Sequence, residues 1–252
     1  MIQNYTIYGE RCSGTNYLER IMGLNFDINI TWNYGWKHFF GFQDNKLENS
    51  DDTLFICIVR NLPDWINSLY RTPYHLSLKY IDFISDKEKL NFFLNHEIHS
   101  LQDNNTTINI EFMEDRNIYT GERYKNIFEL RHTKIKWMLE DLPTKIKNYI
   151  FIKHEDLIND FDKTLLKIKN KGLRVKENIN FPVNTYLYKK EPKLKYVKKK
   201  NSISTELILS NPNLIPLYEQ KLYNISVPLT KNIHNLLTFI YSDSSNMVWQ
   251  KR

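Results

Sequence analysis

The chain has 252 residues, 41% hydrophobic and 25% charged, enough apolar material for a sizeable core and incompatible with wholesale disorder. Its two cysteines, Cys12 and Cys57, are too few for a disulfide framework or a four-ligand zinc site. The net charge of +6 favours anionic ligands without naming one, because acidic and basic residues are interleaved and only Lys189 to Lys200 is a concentrated basic run.

In chain order, Gln3 to Tyr8 reads as a strand and runs into the polar loop Gly9-Glu-Arg-Cys-Ser-Gly-Thr-Asn16. Tyr17 to Leu24 has apolar spacing suited to a helix. Thr53 to Val59 is a continuous apolar run with β-branched residues, the pattern of a strand buried on both faces. Pro63 is placed to open a helix that runs through Tyr70. Asp86 to Leu101 and Tyr124 to Leu142 read as amphipathic helices, Tyr149 to Lys153 as a strand, and Phe161 to Lys169 and Lys231 to Tyr241 as further helices. Asn178 to Ser204 reads as a long loop or irregular edge. Strands alternating with helices predict an α/β fold with a mostly parallel central sheet flanked by helices, in one domain over 1–252. Nothing in the sequence resembles a signal peptide or a membrane span, so a soluble cytoplasmic protein is expected.

Open α/β sheets bind ligands at the carboxyl ends of their strands, where helix N-termini offer N–H groups to anions. The first loop lies at such an edge. Gly14 lets the backbone approach a phosphate, Ser13, Thr15 and Asn16 add short donors, and Arg11 adds a fixed charge. The same stretch also reads as a plain strand-to-helix turn capped by Ser13 or Thr15. It is not a Walker A loop, since no G-x-x-x-x-G-K-[ST] spacing is present. A second anion-suited point follows the buried strand: Arg60 at its end, with Ser68 eight residues on. Asp64, between them, reads as a complement to the helix dipole.

Ser13-Gly-Thr-Asn-Tyr17, with Val59-Arg-Asn-x-Pro-Asp-x-x-x-Ser-Leu-Tyr70, resembles the sulfotransferase family. The wider phrase Gly9-Glu-Arg-x-Ser-Gly-Thr-Asn-Tyr17 looks like a bacterial and viral branch of it. The resemblance covers roughly the first two-thirds of the chain and implies a three-layer, P-loop-like fold and 3′-phosphoadenosine 5′-phosphosulfate as donor, with adenosine 3′,5′-bisphosphate as product. It would place Ser13, Gly14, Thr15 and Asn16 at the 5′-phosphosulfate, Arg60 and Ser68 at the 3′-phosphate, and Tyr17 where many members stack a tryptophan on adenine. The family commonly has Lys or Arg directly before Ser-Gly-Thr; here Cys12 stands there and Arg11 one place earlier, a position from which it is expected to serve both donor and chemistry. His154-Glu-Asp-Leu157 is similar to the family's Tyr-Glu-Asp-Leu element.

Sulfuryl transfer needs a base for the acceptor hydroxyl and cations near the leaving phosphate. His38, in Gly35-Trp-Lys-His-Phe-Phe-Gly41, is the leading base, Glu10 the weaker one, and Lys37 the charge stabiliser. On a strand, Lys37 and His38 would point to opposite faces, and a histidine beside two phenylalanines is often only a packed ring. By chain order the mixed-charge stretches Glu111 to Asn117 and Thr120 to Tyr124, followed by Arg131 and Lys134, face a hydroxylated acceptor such as a carbohydrate, or form a solvated surface; Tyr74 and His75 are alternative acceptor contacts. In the family a later basic loop covers the donor, a place that Lys189 to Lys200 would fill. No metal and no nucleic acid is expected. The competing functions are a nucleotide or glycan binder without turnover on the same fold, and a P-loop kinase, which the missing Gly-Lys-Ser/Thr opposes.

Overall fold

The computed structural model describes residues 2–102, 110–184, 186–188, 191–193, 199–205, 208, 220 and 222–223. The chain divides into two units, Met1–Ile208 and Leu209–Arg252, and the single domain expected over 1–252 is described here almost entirely as its first unit.

Four strands form one parallel sheet in the order β2-β1-β3-β4: β1 (Asn4–Tyr8), β2 (Asn29–Ile30), β3 (Thr53–Val59) and β4 (Tyr149–Lys153). The strand β3 lies between β1 and β4, and all seven of its residues are buried. That is why its sequence is continuously apolar rather than alternating. The period of two still sorts its side chains between layers. Leu54, Ile56 and Ile58 join Tyr5, Ile7, Ile150 and Ile152 in one core, which is completed by Leu18, Ile21 and Met22 of helix α1 (Thr15–Asn25). Leu157 of α7 (His154–Asn159) and Leu165 and Ile168 of α8 (Phe161–Lys169) pack into the same layer. On the opposite face an aromatic stack replaces the aliphatics. Tyr8 lies 4.8 Å from Phe40 and 5.8 Å from both Phe55 and Trp137, ring centre to ring centre. The α/β fold with a parallel sheet flanked by helices is therefore as expected.

Between β2 and β3 sits the short helix α2 (Asp44–Leu47). Helix α3 (Leu62–Arg71) starts as its Asn61 and Pro63 dictate, with the Asn61 side chain accepting from the Asp64 N–H at 3.0 Å. Two predicted helices depart from their patterns. Helix α4 (Asp86–Asn95) stops at an extended His96, and the predicted remainder to Leu101 is drawn out. There the N–H groups of Ile98 and Leu101 donate to the carbonyls of Tyr124 and His75, tertiary partners that replace helical ones. Helix α5 (Ile127–Lys136) begins three residues late because the Asn126 side chain caps Phe128 and Glu129. It passes through a π turn, Trp137–Asp141, into α6 (Leu142–Lys145), where the Leu142 N–H reaches back to Trp137 O and Pro143 has no donor. Within the expected irregular stretch 178–204, β5 (Tyr186–Tyr188) and β6 (Glu191–Lys193) form an antiparallel pair. The predicted helix at Lys231 to Tyr241, and most of the basic run Lys189 to Lys200, lie outside the described residues. Among the described residues no helix is long and apolar enough to cross a membrane.

Gly23 is exposed in the interior of α1, with open space where a Cβ would go, whereas a Cβ on Gly9 would stand 2.5 Å from the Ile58 carbonyl oxygen. Gly23→Ala is expected to stabilise the fold by about 0.5–1 kcal/mol. Gly9→Ala is expected to destabilise it by roughly 2 kcal/mol or more. Urea denaturation of both variants measures the two signs.

Candidate functional site

The carboxyl ends of β1, β3 and β4 bring three segments together: the loop from Gly9 to Gly14, Arg60, and His154. The loop is shaped by positive backbone φ angles at Cys12 (64°) and Gly14 (93°). Gly14 is the N-cap of α1, and no side chain caps that helix, so neither Ser13 nor Thr15 takes the capping role that a plain turn would give it. The N–H groups of the first helical turn therefore keep their capacity for an anion. The Ser13 hydroxyl is buried in this loop without a hydrogen-bond partner among the described residues. Thr15 is buried at the first helical position, and Asn16 is exposed beside it.

Arg60 and Ser68 converge on that loop. Arg60 Nη1 donates to Cys12 O at 3.3 Å, and the Cys12 thiol contacts the Ser68 side chain. Burial raises the Cys12 thiol pKa, while Ser68 and the charges of Arg60 and Arg11 pull it the other way. From the third strand end, the His154 ring packs so closely on Gly14 that a methyl group there would stand 2.3 Å from His154 Cδ2. Burial, reinforced by the charge of Arg60, pulls the His154 pKa down to about 3 against the opposing pull of Asp64.

His38 and Lys37 hold the other side of the loop. Trp36 and Phe39 pair through Phe39 N→Trp36 O at 2.8 Å, so Lys37 and His38 occupy the corner of a tight turn rather than a strand. Strand alternation therefore does not separate them, and both reach the loop. Gly9 N donates to Lys37 O at 3.0 Å, and His38 Nδ1 lies 2.7 Å from Gly9 O. A carbonyl oxygen only accepts, so Nδ1 carries the proton and Nε2 is left bare, the tautomer a general base needs. Burial, the largest cause, holds His38 neutral with a pKa pulled down to about 3; Glu10 and the Gly9 carbonyl oppose it. Lys37 Nζ donates to Asn16 Oδ1 at 2.6 Å and pairs with Glu19 at 3.0 Å.

Three of the expected assignments are corrected by where the side chains go. Arg11 turns beneath the loop instead of toward a ligand: its Nε meets Glu10 Oε1 at 2.8 Å and its Nη1 meets Asp115 Oδ2 at 2.7 Å, fully buried. Glu10 is turned inward, buried with one carboxylate oxygen on Arg11 and the other on Lys134 (Nζ to Oε2, 2.7 Å), and these cations hold its pKa near 2 although burial works to raise it. Tyr17 is no stacking surface: it lies on the inner face of α1 in the core, and its hydroxyl donates to Asn184 Oδ1 at 2.7 Å.

The sequence reading missed Asp115 and misplaced Lys134. Lys134 Nζ also lies 2.5 Å from Asp115 Oδ1 and 2.8 Å from His38 O, completing a buried quartet of Glu10, Arg11, Asp115 and Lys134 with no net charge. Ser100 Oγ donates to Asp115 Oδ2 and accepts from Arg11 Nη1 at 3.2 Å. One signal was available: Lys134 falls in register with Ile127, Leu130 and Met138 on the apolar stripe of this helix, where a solvated lysine does not belong. Among the described residues, no His, Cys, Asp and Glu side chains are grouped as metal ligands.

Lys134→Met would leave two buried carboxylates facing one cation and is expected to cost about 3–5 kcal/mol. Lys147→Met, at an exposed ion pair with Asp51, should change stability by less than about 1 kcal/mol. Chemical denaturation of both variants tests the difference.

His38 and His154 have folded-state pKa values near 3, below the ordinary 6.5, so the unfolded chain takes up protons first as pH falls. Stability is then lost progressively from about pH 6.5 toward 3, at roughly 2–3 kcal/mol per pH unit between pH 5.5 and 4. Glu10 adds its own loss only as pH falls from 4.5 toward 2. Urea unfolding across this range should show the slope, and His38→Gln should reduce it by about half.

No family model matches the chain, and no curated protein matches it. Among solved structures, the chain is similar to mouse sulfotransferase SULT7A1 complexed with PAP, at 14% sequence identity and a TM-score of 0.38. The likeness covers 67% of this chain and spans 57% of the length of that protein.

Proposed function

We propose that the chain is a sulfotransferase that uses 3′-phosphoadenosine 5′-phosphosulfate and delivers the sulfuryl group to a hydroxyl acceptor. The observation that carries this reading is the convergence of Arg60 and Ser68 on a loop whose helix N-terminus is left uncapped. Those features make two anion-holding points, distant in sequence but joined in space through Cys12, as a nucleotide with phosphate at both ends of its ribose requires.

On this reading the α1 N-terminus, Ser13 and Asn16 hold the 5′ side, and Arg60 and Ser68 hold the 3′-phosphate. The donor supplies an activated sulfuryl group and a phosphate leaving group. Everything else comes from the chain. His38 Nε2, bare because Nδ1 is committed to Gly9 O, accepts the acceptor's hydroxyl proton as its oxygen attacks sulfur. Its low basicity delays that transfer until the oxygen has given up most of its charge. The electron pair of the breaking bond leaves with the phosphate oxygen, where α1 and Lys37 offset the developing charge. Lys37 must loosen its pairing with Glu19 to do so. The two free cysteines are in keeping with a reducing cytoplasmic setting.

One observation favours a second reading, binding without turnover. The withdrawal of Arg11 into the quartet removes a cation from the loop. Calorimetric titration with adenosine 3′,5′-bisphosphate, without metal, tests the shared first step. The wild type should bind the bisphosphate in preference to ATP, and Arg60→Ala should weaken binding at least about tenfold, or 1.4 kcal/mol. Equal binding by Arg60→Ala, or none by a folded wild type, overturns both readings. Sulfate transfer from the labelled donor, abolished by His38→Ala, then separates catalysis from binding.

A further inference from the structure

Glu155 lies in the first turn of α7, directly after β4, and has no part in the proposed sulfuryl transfer. A carboxylate there complements the helix dipole, which by itself would account for its presence. Its contacts are more specific than that. Glu155 Oε1 accepts from the Asn61 backbone N–H at 3.0 Å and from Asn61 Nδ2 at 2.7 Å, so it reaches across from β4 to the turn that follows β3. A negative charge on the residue next to Arg60 works against holding a phosphate there, and only a compensating local use offsets that repulsion.

The use lies in one peptide group. The carbonyl of Arg60 and the N–H of Asn61 belong to the same planar unit and point in opposite directions. Arg131 Nη2 donates to that carbonyl at 2.7 Å, while Glu155 accepts from that N–H. A cation and an anion thus grip the peptide from its two sides through charge-assisted hydrogen bonds, which are the stronger kind. Arg131 is buried on α5, with its guanidinium 4.8 Å from the Trp65 ring centre. On the other side of Arg60, Val59 is paired with Lys153 in the sheet. With the backbone held before and after Arg60, the direction in which its side chain leaves the chain is set, and Nη1 meets Cys12 O at 3.3 Å on the first loop. Asn61 carries the constraint onward: its Oδ1 accepts from the Asp64 N–H at 3.0 Å and so fixes the start of α3, the helix that bears Ser68.

We propose that Glu155 is a positioning residue for the 3′-phosphate subsite. Together with Arg131 it clamps the Arg60–Asn61 peptide, so that Arg60 and Ser68 are aimed before the nucleotide arrives. An arginine aimed in advance loses less freedom on binding than one that its ligand must order. The proposal rests on the sulfuryl-transfer reading, which gives Arg60 and Ser68 their anion.

Two substitutions separate reach from charge. Glu155→Gln removes the charge and keeps an oxygen at the same reach, whereas Glu155→Asp keeps the charge and draws it back from Asn61 by one methylene. Both, and Glu155→Asp combined with Arg60→Ala, are shown to be folded by urea denaturation and titrated calorimetrically with adenosine 3′,5′-bisphosphate. Glu155→Gln should bind no more than about twofold more weakly than wild type, and Glu155→Asp at least about fivefold more weakly. In the Arg60→Ala background, Glu155→Asp should change the affinity by less than about twofold, because its effect runs through Arg60. Wild-type affinity in Glu155→Asp overturns the proposal. So does equal weakening by Glu155→Gln, or an undiminished effect of Glu155→Asp once Arg60 is gone. If the folded wild type does not bind the bisphosphate, or Arg60→Ala binds it as well as wild type, the sulfotransferase reading itself fails and this inference fails with it.

Discussion

Four charges sealed from water organise the site end of the molecule. Glu10 and Arg11 follow β1, Asp115 ends a single 3-10 turn about a hundred residues later, and Lys134 lies on α5. None of these groups tolerates burial alone, since an isolated charge in a low-dielectric interior costs several kcal/mol even after relaxation. Each is therefore buried only because the other three are in place. The quartet also extends beyond itself, as Lys134 donates to the His38 carbonyl and Arg11 and Asp115 share Ser100. The first loop, the turn carrying the proposed base, and the chain at Ser100 and at Asp115 are thereby held in one frame.

That frame decides which groups stand at the open end of the first loop. An arginine next to a glycine-rich loop looks like a ligand-binding cation, but Arg11 serves the interior. What remains at the start of α1 is backbone and short polar side chains, with Arg60 arriving from β3. Fixed N–H dipoles need no reorganisation when an anion binds, whereas an arginine would first have to leave two carboxylates. The clamp on Gly9, made by the Lys37 carbonyl and the His38 ring, places the proposed base against the same loop. The loop and the turn thus share one glycine, whose lack of a side chain lets the Ile58 carbonyl close in behind it.

The elements with strong local signals were legible in advance. The strands β1, β3 and β4, the Asn61–Pro63 helix start and the strand–loop–helix opening all lie within a residue or two of their sequence patterns, because hydrophobic period and capping chemistry are local. Helix ends at Asn95 and Lys136 were not legible, because they depend on tertiary carbonyls and on a π turn ahead of Pro143. Lys37 and His38 were hard to assign for a similar reason: alternation along a strand predicts opposite directions, and only the turn from Trp36 to Phe39 removes that rule.

By itself, the sequence determined the α/β class, the phosphate-suited loop after β1, the Arg60–Ser68 spacing and the position of the histidine between the two. It could not say where Arg11, Glu10 and Tyr17 point. A charged side chain next to a loop can turn outward to a ligand or inward to a partner, and the inward partners here, Asp115 and Lys134, are more than a hundred residues away in sequence. Tyr17 likewise joins the core only because α1 packs on the sheet with that face down. Side-chain direction at the site follows from long-range charge pairing and layer packing, which no local pattern encodes.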